Sequence, residues 1–206
     1  MITHFHADHV DGLEGVLAGR RVDAVETTAL ADPPGGVDLV RRAAAEAGVP
    51  VTTASYGATR RIGDATVQVL HPELPGEPVP GPGDGSTAND ASVVLLVEVT
   101  GLRLLLTGDL EPPGQGQVAR LVGDLDVDVV KVPHHGSSHQ DLPWLVSLRP
   151  EVALVSVGAD NDYGHPSAAV VGALEARGAR VLRTDRDGEV AVVADGSGGV
   201  RTVTRR

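Results

Sequence analysis

The segment His4-Phe5-His6-Ala7-Asp8-His9 constrains this chain more than any other feature of its sequence. In an extended segment, side chains two residues apart point to the same side, so His4 and His6 can converge on one metal ion. We expect Asp8 and His9 to face a second ion as the chain turns. Imidazole and carboxylate groups suit Zn²⁺, Mn²⁺ or iron. The motif therefore predicts a metal site near the start of the chain.

Four ligands do not complete a two-metal site, and a later apolar run supplies a further candidate. Leu104-Leu105-Leu106-Thr107-Gly108-Asp109 reads as a strand that delivers a carboxylate at its carboxyl end, where glycine allows the chain to turn. We expect Asp109 to bridge two ions that lie about 3.5–4 Å apart.

A third apolar run, Val127–Val132, leads into Pro133-His134-His135-Gly136-Ser137-Ser138. Adjacent histidines point in opposite directions on an extended chain, so we expect one of this pair to be a ligand and the other to contact the surroundings of the site. Ser137 and Ser138 are hydroxyl donors suited to an oxyanion or a phosphate.

Other polar segments are weaker candidates. Asn89 and Asp90 precede a predicted strand and are expected at the same edge as Asp109. His165 precedes a predicted helix and is expected over the cleft. His71, before a proline, is typical of a loop residue rather than a ligand. The segment from Thr184 to Gly188 has the composition of a hairpin turn.

The remaining pattern alternates strands and helices and favours one α/β domain over residues 1–206, with two mixed sheets and helices packed outside them. Residues 72–89, rich in proline and glycine, are expected to form a surface loop near the site. We also expect hairpin-like pairs over residues 91–107 and 180–203. The predicted strands are Val22–Thr27, Val49–Thr53, Thr66–Leu70, Ala91–Val99, Leu102–Thr107, Val127–Val132, Val152–Val157, Arg180–Arg183, Glu189–Val193 and Val200–Val203. The predicted helices are Gly12–Ala18, Val37–Ala47, Gln115–Leu121, Leu142–Leu148 and Ser167–Arg177.

The overall charge argues against non-specific binding to nucleic acid. The chain carries 17 basic and 28 acidic residues, a net charge of −11, whereas proteins that bind DNA through charge are usually basic. There is no cysteine, so no thiolate metal site is possible. No apolar run approaches the roughly 18 residues of a membrane span and no signal peptide is present, so we expect these residues by themselves to be soluble.

Five segments, taken in order, resemble the blocks of the metallo-β-lactamase superfamily, and more narrowly those of the C-terminal hydrolase domain of ComEC-type DNA-internalisation competence proteins. They are Thr3–Leu13, Leu105–Glu111, Val130–Ser137, Tyr163–Ser167 and Arg183–Gly188. The first block is similar to the superfamily as a whole, and Pro-His-His-Gly-Ser narrows the resemblance to this branch.

The resemblance implies a four-layer αββα sandwich, which here would lack its first strands, and two divalent ions, Zn²⁺ or Mn²⁺, at one edge of the sheets. The superfamily has a histidine just before Ser92 as a third ligand of the first ion, and this chain has Asn89 or Asp90 in that region. The implied ligands are His4 and His6 for the first ion, Asp8, His9 and His135 (rather than His134) for the second, and Asp109 between them.

The resemblance also implies hydrolysis of DNA, expected to be single-stranded, during DNA uptake. Asp8 or Asp109 would orient the attacking water, and His134 or His165 would protonate the leaving oxygen or contact the phosphate. A whole protein of this kind has a membrane channel portion and acts at the cell membrane on its extracytoplasmic side. Two alternatives remain: a hydrolase of thioesters, lactams or small phosphoesters on the same fold, and an inactive, truncated binding module.

Overall fold

The computed structural model describes residues 1–73, 85–196 and 198–206, and these contain eleven strands and eight α-helices. The strands are β1 (Val25–Thr27), β2 (Val51–Thr53), β3 (Thr59–Ile62), β4 (Ala65–His71), β5 (Val94–Val99), β6 (Leu102–Leu106), β7 (Val129–Lys131), β8 (Val152–Val155), β9 (Arg180–Arg183), β10 (Glu189–Ala194) and β11 (Val200–Arg205). The helices are α1 (Ala7–Val10), α2 (Leu13–Leu17), α3 (Pro34–Glu46), α4 (Ser86–Asp90), α5 (Pro112–Val122), α6 (Leu142–Ser147), α7 (Ala168–Glu175) and α8 (Thr184–Asp187).

A seven-stranded mixed sheet in the order β3-β4-β5-β6-β7-β8-β9 forms the centre of the fold. Strands β3 to β6 are antiparallel neighbours, whereas β6 to β9 run parallel, with Leu104 opposite Val129 and Val129 opposite Val152. The carboxyl ends of β6, β7, β8 and β9 therefore meet at one edge of the sheet. Ligand sites of open parallel sheets lie at this edge.

Helices α5, α6 and α7 cover one face of the large sheet. Leu105 of β6 and Val130 of β7 are fully buried there, together with Leu145 of α6 and Leu174 of α7. Because parallel strands are buried on both faces, their residues are apolar in continuous runs rather than in alternation.

Two small sheets lie on the other side of the molecule. The antiparallel hairpin β10–β11 packs Val190 and Val192 against Val129 and Val152 of the large sheet. The parallel pair β1–β2 is covered by α1, α2 and α3. Phe5 is buried in that second core, which anchors the histidine motif between α3 and β1. The layers are helix, sheet, sheet and helix, as the sequence predicts, although the second layer consists of two short sheets.

Several predictions of local structure are wrong. The hairpin expected within residues 180–203 is confirmed for β10 and β11, but β9 lies next to β8 in the large sheet and does not form a hairpin with β10 in the described part of the chain. The connection is the one-turn helix α8, closed by the N–H of Arg183, which donates to Asp187 Oδ2 at 2.8 Å. Helix α4 and strand β3 were not expected, because each is short and has no periodic pattern. Most of the predicted loop, residues 74–84, lies outside the described residues.

Candidate metal centre

Four side chains of the predicted motif regions meet in one cluster: Asp8, His9, Asp109 and His135. Their ligand atoms all lie within 4.8 Å of one another. Asp8 comes from the first turn of α1, Asp109 follows β6, and His135 follows β7. The separations are 3.0 Å for Asp8 Oδ2 to His135 Nε2, 3.1 Å for Asp109 Oδ2 to His135 Nε2, 3.2 Å for Asp109 Oδ2 to His9 Nε2, 3.4 Å between the two Nε2 atoms and 3.6 Å for Asp8 Oδ2 to His9 Nε2.

These separations match the edges of a tetrahedral metal site. Nitrogen and oxygen ligands about 2.0–2.1 Å from a Zn²⁺ ion lie about 3.3 Å from one another. Five of the six separations among these two carboxylates and two imidazoles are 3.0–3.6 Å and the sixth is within 4.8 Å, so the four groups are spaced to hold one divalent ion.

The electrostatics of the metal-free cluster call for a positive charge. The hydrogen bonds that His135 donates to Asp109 and Asp8 raise the pKa of His135 to about 9, and the same bond to Asp8 lowers the pKa of that carboxyl to about 2. Burial opposes ionisation of Asp109, but Lys131 and the hydrogen bonds of His135 and His9 lower the pKa of this carboxyl below its usual range. In the protein without metal, the proton on His135 thus balances two carboxylates, the place that a cation would take.

His4 and His6 form a second pair of nitrogen donors beside this cluster. His4 Nε2 lies 3.1 Å from His6 Nδ1, and the His4 ring centroid is 4.1 Å from that of His9. Burial lowers the pKa of His4 to about 3, so its ring is neutral and keeps a lone pair available to a metal. This pair is adjacent to the four-residue cluster, as two neighbouring ion sites require.

Polar groups contact the rings of His4, His9 and His135 on the side away from the cluster. His135 Nδ1 lies 2.6 Å from the carbonyl oxygen of Ser156, which leaves Nε2 facing the cluster. His9 Nδ1 is 3.2 Å from Thr3 Oγ1. Ser92 Oγ lies 3.2 Å from His4 Nδ1 and also accepts the N–H of Asp109 at 3.1 Å. Contacts of this kind set the tautomer and ring orientation of metal ligands.

Lys131 is a site residue that sequence reasoning missed. Its ammonium donates to Asp109 Oδ1 at 3.1 Å and to the carbonyl oxygen of Gly108 at 2.7 Å. Oδ2 of Asp109 then remains as the oxygen that faces His9 and His135. One sequence signal was available, because Lys131 is the only lysine among the 17 basic residues.

A second polar group surrounds Glu111, which the sequence reasoning also left out. Glu111 Oε1 accepts from Asn89 Nδ2 at 2.9 Å and lies 3.4 Å from His134 Nδ1, while Oε2 lies 3.4 Å from His139 Nδ1. Asn89 is buried, and its Oδ1 has no hydrogen-bond partner in the described part of the chain. The structure thus places Asn89 and His134 beside the cluster, in contact with one carboxylate.

Left-handed backbone turns deliver the ligands from β6 and β7. Gly108 has a φ of 55°, and a Cβ there would lie 2.8 Å from the Ser92 Cβ, so glycine is required. His134 and His135 have φ values of 44° and 51°. The assumption of an extended His-His pair was therefore wrong, although His135 joins the cluster and His134 turns toward Glu111. Two successive non-glycine residues with left-handed backbone angles store strain. Strain of this kind is concentrated at functional sites.

Two open clefts border the cluster, with volumes of about 420 Å³ and 700 Å³. Asp8, His135 and His165 line both. Ser137 is buried and lines the larger cleft with Asn89 and His134. Ser138 is exposed and is not among the described residues that line either cleft. His71, expected in a loop, ends β4 and is buried, with Nδ1 2.9 Å from the carbonyl oxygen of Ser92.

Comparison with known proteins identifies the family. The sequence model of the metallo-beta-lactamase superfamily matches residues 1–158. The chain belongs to this superfamily. The metallo-β-lactamase domain is 34% identical over 196 residues, 92% of the chain, to ComE operon protein 3 of Bacillus subtilis. It is 38% identical over 115 residues, 55% of the chain, to competence protein ComA of Neisseria gonorrhoeae.

These relatives are ComEC-type competence proteins, and the metallo-β-lactamase domain spans 24% and 16% of their lengths, respectively. Among solved structures, Zn²⁺-bound PqqB from Methylobacterium extorquens shares the fold, with a TM-score of 0.50 and 17% identity over 88% of this chain and 69% of that one. The fold binds divalent metals, and the chain is a metallo-β-lactamase-fold hydrolase related to competence proteins. The longest helix of the described residues, α3, has 13 residues, and none has the length and apolarity of a membrane-crossing helix.

Proposed function

We propose that this domain is a phosphodiesterase that hydrolyses DNA, in single-stranded form, during competence-related DNA uptake. The observation that carries the proposal is the convergence of Asp8, His9, Asp109 and His135, whose ligand atoms lie within 4.8 Å of one another, with the His4–His6 pair alongside. Two-metal sites with a bridging carboxylate suit phosphoryl chemistry, because they neutralise charge on both the attacking and the leaving oxygen. The similarity to competence proteins favours DNA among phosphodiesters.

In this proposal each predicted ligand has a role. His4 and His6 would hold one ion, Asp8, His9 and His135 would hold the other, and Asp109 would be shared by both. Zn²⁺ or Mn²⁺ held there would supply Lewis-acid activation of water and of the phosphate. Asn89, with its buried and unpartnered Oδ1, supports an oxygen contact to the first ion or to substrate where the superfamily has a histidine.

Side chains of the domain would form hydrogen bonds with the attacking water, the leaving oxygen and the phosphate. Asp8 or Asp109 would accept a hydrogen bond from the attacking water and orient it toward phosphorus. Burial lowers the pKa of His134 and of His165, so both rings are neutral at pH 7 and offer an N–H to the leaving oxygen or the phosphate rather than a charge. Ser137, in the same cleft, would add a hydroxyl donor.

The direct test is cleavage of an end-labelled single-stranded oligonucleotide by the purified chain loaded with Mn²⁺ or Zn²⁺. We expect cleavage by the wild type and a loss of at least about a hundred-fold in Asp109→Asn, which keeps the size of the side chain but removes the ligand charge. Equal behaviour of the two proteins would contradict the proposal. Arg21→Met, which changes an exposed residue outside the site, is the control.

A hydrolase of thioesters, lactams or small phosphoesters is the second candidate. It is favoured by one observation: no lysine or arginine stands among the described residues that line the two clefts. Activity on a thioester or lactam, with none on the oligonucleotide, would establish it. Fewer than one bound ion per chain would instead favour a non-catalytic binding module.

From the competence relatives we further propose that the domain acts at the extracytoplasmic side of the cell membrane, beside a channel portion that passes the strand. This location would place hydrolysis of one strand next to transport of the other.

A further inference from the structure

A row of rings leads from the metal cluster to the protein surface. His135 contacts His134 with ring centroids 6.3 Å apart, and His134 contacts His165 edge-on at 5.5 Å. The ring of Tyr163 then stacks on His165 at 6.0 Å, with only 21° between the two planes. The outer face of Tyr163 is free, because 84% of this residue is exposed to solvent.

Tyr163 is unusual for an aromatic residue of this chain, which contains one Phe, one Trp and two Tyr. Phe5 and Trp144 are buried, and Tyr56 lies at 43% exposure on a turn that lines neither cleft. Tyr163, in contrast, lines both clefts beside the cluster. A single exposed apolar side chain is ordinary, but this one is the outermost ring of a row that begins at His135, a proposed metal ligand.

Hydrogen bonds hold the loop that carries Tyr163 against the turn Pro133–Gly136, which presents His135. The Asn161 side chain donates to the carbonyl oxygens of Gly158 and His165, at 2.9 and 3.1 Å, and accepts the N–H of His165 at 3.1 Å. The N–H of Ser167 donates to the carbonyl oxygen of Gly136 at 2.8 Å. These contacts hold the Tyr163–His165 stack in register with the turn that presents His135, so the distance from the stack to the metal cluster is set by the fold.

The acidic lining of the two clefts limits how they can bind a polynucleotide. Their described lining contains the carboxylates of Asp8, Asp109 and Glu111 and no lysine or arginine, so it offers no cationic clamp for a strand's phosphates. Besides the ions and the neutral N–H and O–H groups of the clefts, affinity for a polynucleotide then depends on contacts with the bases. Aromatic faces bind every base by stacking, without regard to sequence. Stacking on a protein ring requires an unpaired base, because the faces of bases in a duplex are covered by their neighbours.

We propose that Tyr163, backed by His165, is a stacking platform for an unpaired base of the strand whose phosphodiester is hydrolysed at the metal cluster. This inference rests on the proposed function and adds to it a specific recognition element. It explains how an acidic domain takes a single strand in preference to a duplex. The platform reads the presence of an unpaired base near the reacting phosphate and ignores its identity.

The test measures binding of a fluorescently labelled single strand to the metal-loaded chain by anisotropy, alongside its cleavage. Tyr163→Leu is expected to weaken binding of the intact strand by about 5- to 160-fold, the range for loss of one base–aromatic stack. Tyr163→Phe keeps the ring and is expected to bind as the wild type does. Tyr56→Leu removes the other tyrosine and is expected to have no effect.

A second strand with abasic sites in place of its bases completes the design. The wild type should bind this strand as weakly as Tyr163→Leu binds the intact one, and the substitution should cause no further loss. A Tyr163→Leu protein that binds and cleaves the intact strand as the wild type does would overturn the platform while leaving the proposed function in place. Stacking-dependent binding without cleavage would retain the platform and refute the nuclease, and no binding by the wild type would overturn both.

Discussion

At the scale of single residues, the candidate centre depends on neutral side chains as much as on its charged ligands. Each of three histidines has a polar partner at Nδ1: Thr3 for His9, Ser92 for His4, and the carbonyl oxygen of Ser156 for His135. In His9 and His135 the other nitrogen, Nε2, therefore faces the cluster. Ser92 also accepts the N–H of Asp109 and so links the two proposed ion sites. The ligands are therefore oriented before any ion binds.

Lys131 gives a prediction whose sign is informative. Replacing it by methionine removes a positive charge from the vicinity of the proposed cations. The loss of charge repulsion alone would make metal binding tighter. If Lys131 instead holds Asp109 Oδ1 so that Oδ2 faces the ions, the substitution releases the carboxylate. We expect Lys131→Met to weaken Mn²⁺ or Zn²⁺ affinity by about 10- to 100-fold, measured by competition with a chromophoric chelator.

Arg21→Met is the matched control, because it removes one positive charge from a side chain that is 89% exposed and outside the centre. It should leave the affinity unchanged. Tighter binding of metal by Lys131→Met would show that the lysine only balances the charge of Asp109 and does not position it.

The sequence identified the side chains of the cluster because each stands in a short motif of neighbouring polar residues, and it missed their partners because those contacts are distant in sequence. The motif from His4 to His9 brings four side chains together within six positions. Lys131 lies 22 positions from Asp109, and Ser92 lies 88 positions from His4. The left-handed pair His134–His135 was also beyond prediction, since few non-glycine residues adopt that conformation.

At the scale of the elements, the site is a product of strand direction. β6, β7 and β8 run parallel, so Asp109, His135 and Ser156 emerge at one edge of the sheet. The apolar runs predicted these strands well, because buried parallel strands are continuous in hydrophobicity. The pairing of β9 was not predictable from pattern alone, since its four residues fit a hairpin and a parallel sheet equally.

The turn after β7 gives a prediction for the elements. Gly136 has a φ of 80°, and a Cβ there would lie 2.5 Å from the Pro166 Cβ. We expect Gly136→Ala to lower the free energy of unfolding by about 2–4 kcal/mol, from backbone strain and overpacking together. Chemical denaturation measures it. Gly178→Ala has a similar φ, 90°, but open space around the Cβ, and isolates the strain at about 1 kcal/mol. Equal losses in both variants would contradict the packing argument.

At the scale of the whole molecule, two divalent ions would offset about four of the eleven net negative charges. The two ions would offset negative charge only at the edge of the sheet where Asp8 and Asp109 meet His9 and His135. The rest of the surface would stay acidic. A domain of this charge would avoid general binding to polyanions and take a strand only at its metal centre. The chain spans 24% of the length of ComE operon protein 3.

The number of metal ions bound per chain shows whether the candidate centre holds two ions, and elemental mass spectrometry measures it after loading and removal of excess ion. We expect about two ions of Zn²⁺ or Mn²⁺ in the wild type. We expect one ion or fewer in Asp109→Asn, with the fold intact by circular dichroism. Fewer than one ion in the wild type, or an unchanged number in Asp109→Asn, would contradict the centre described above.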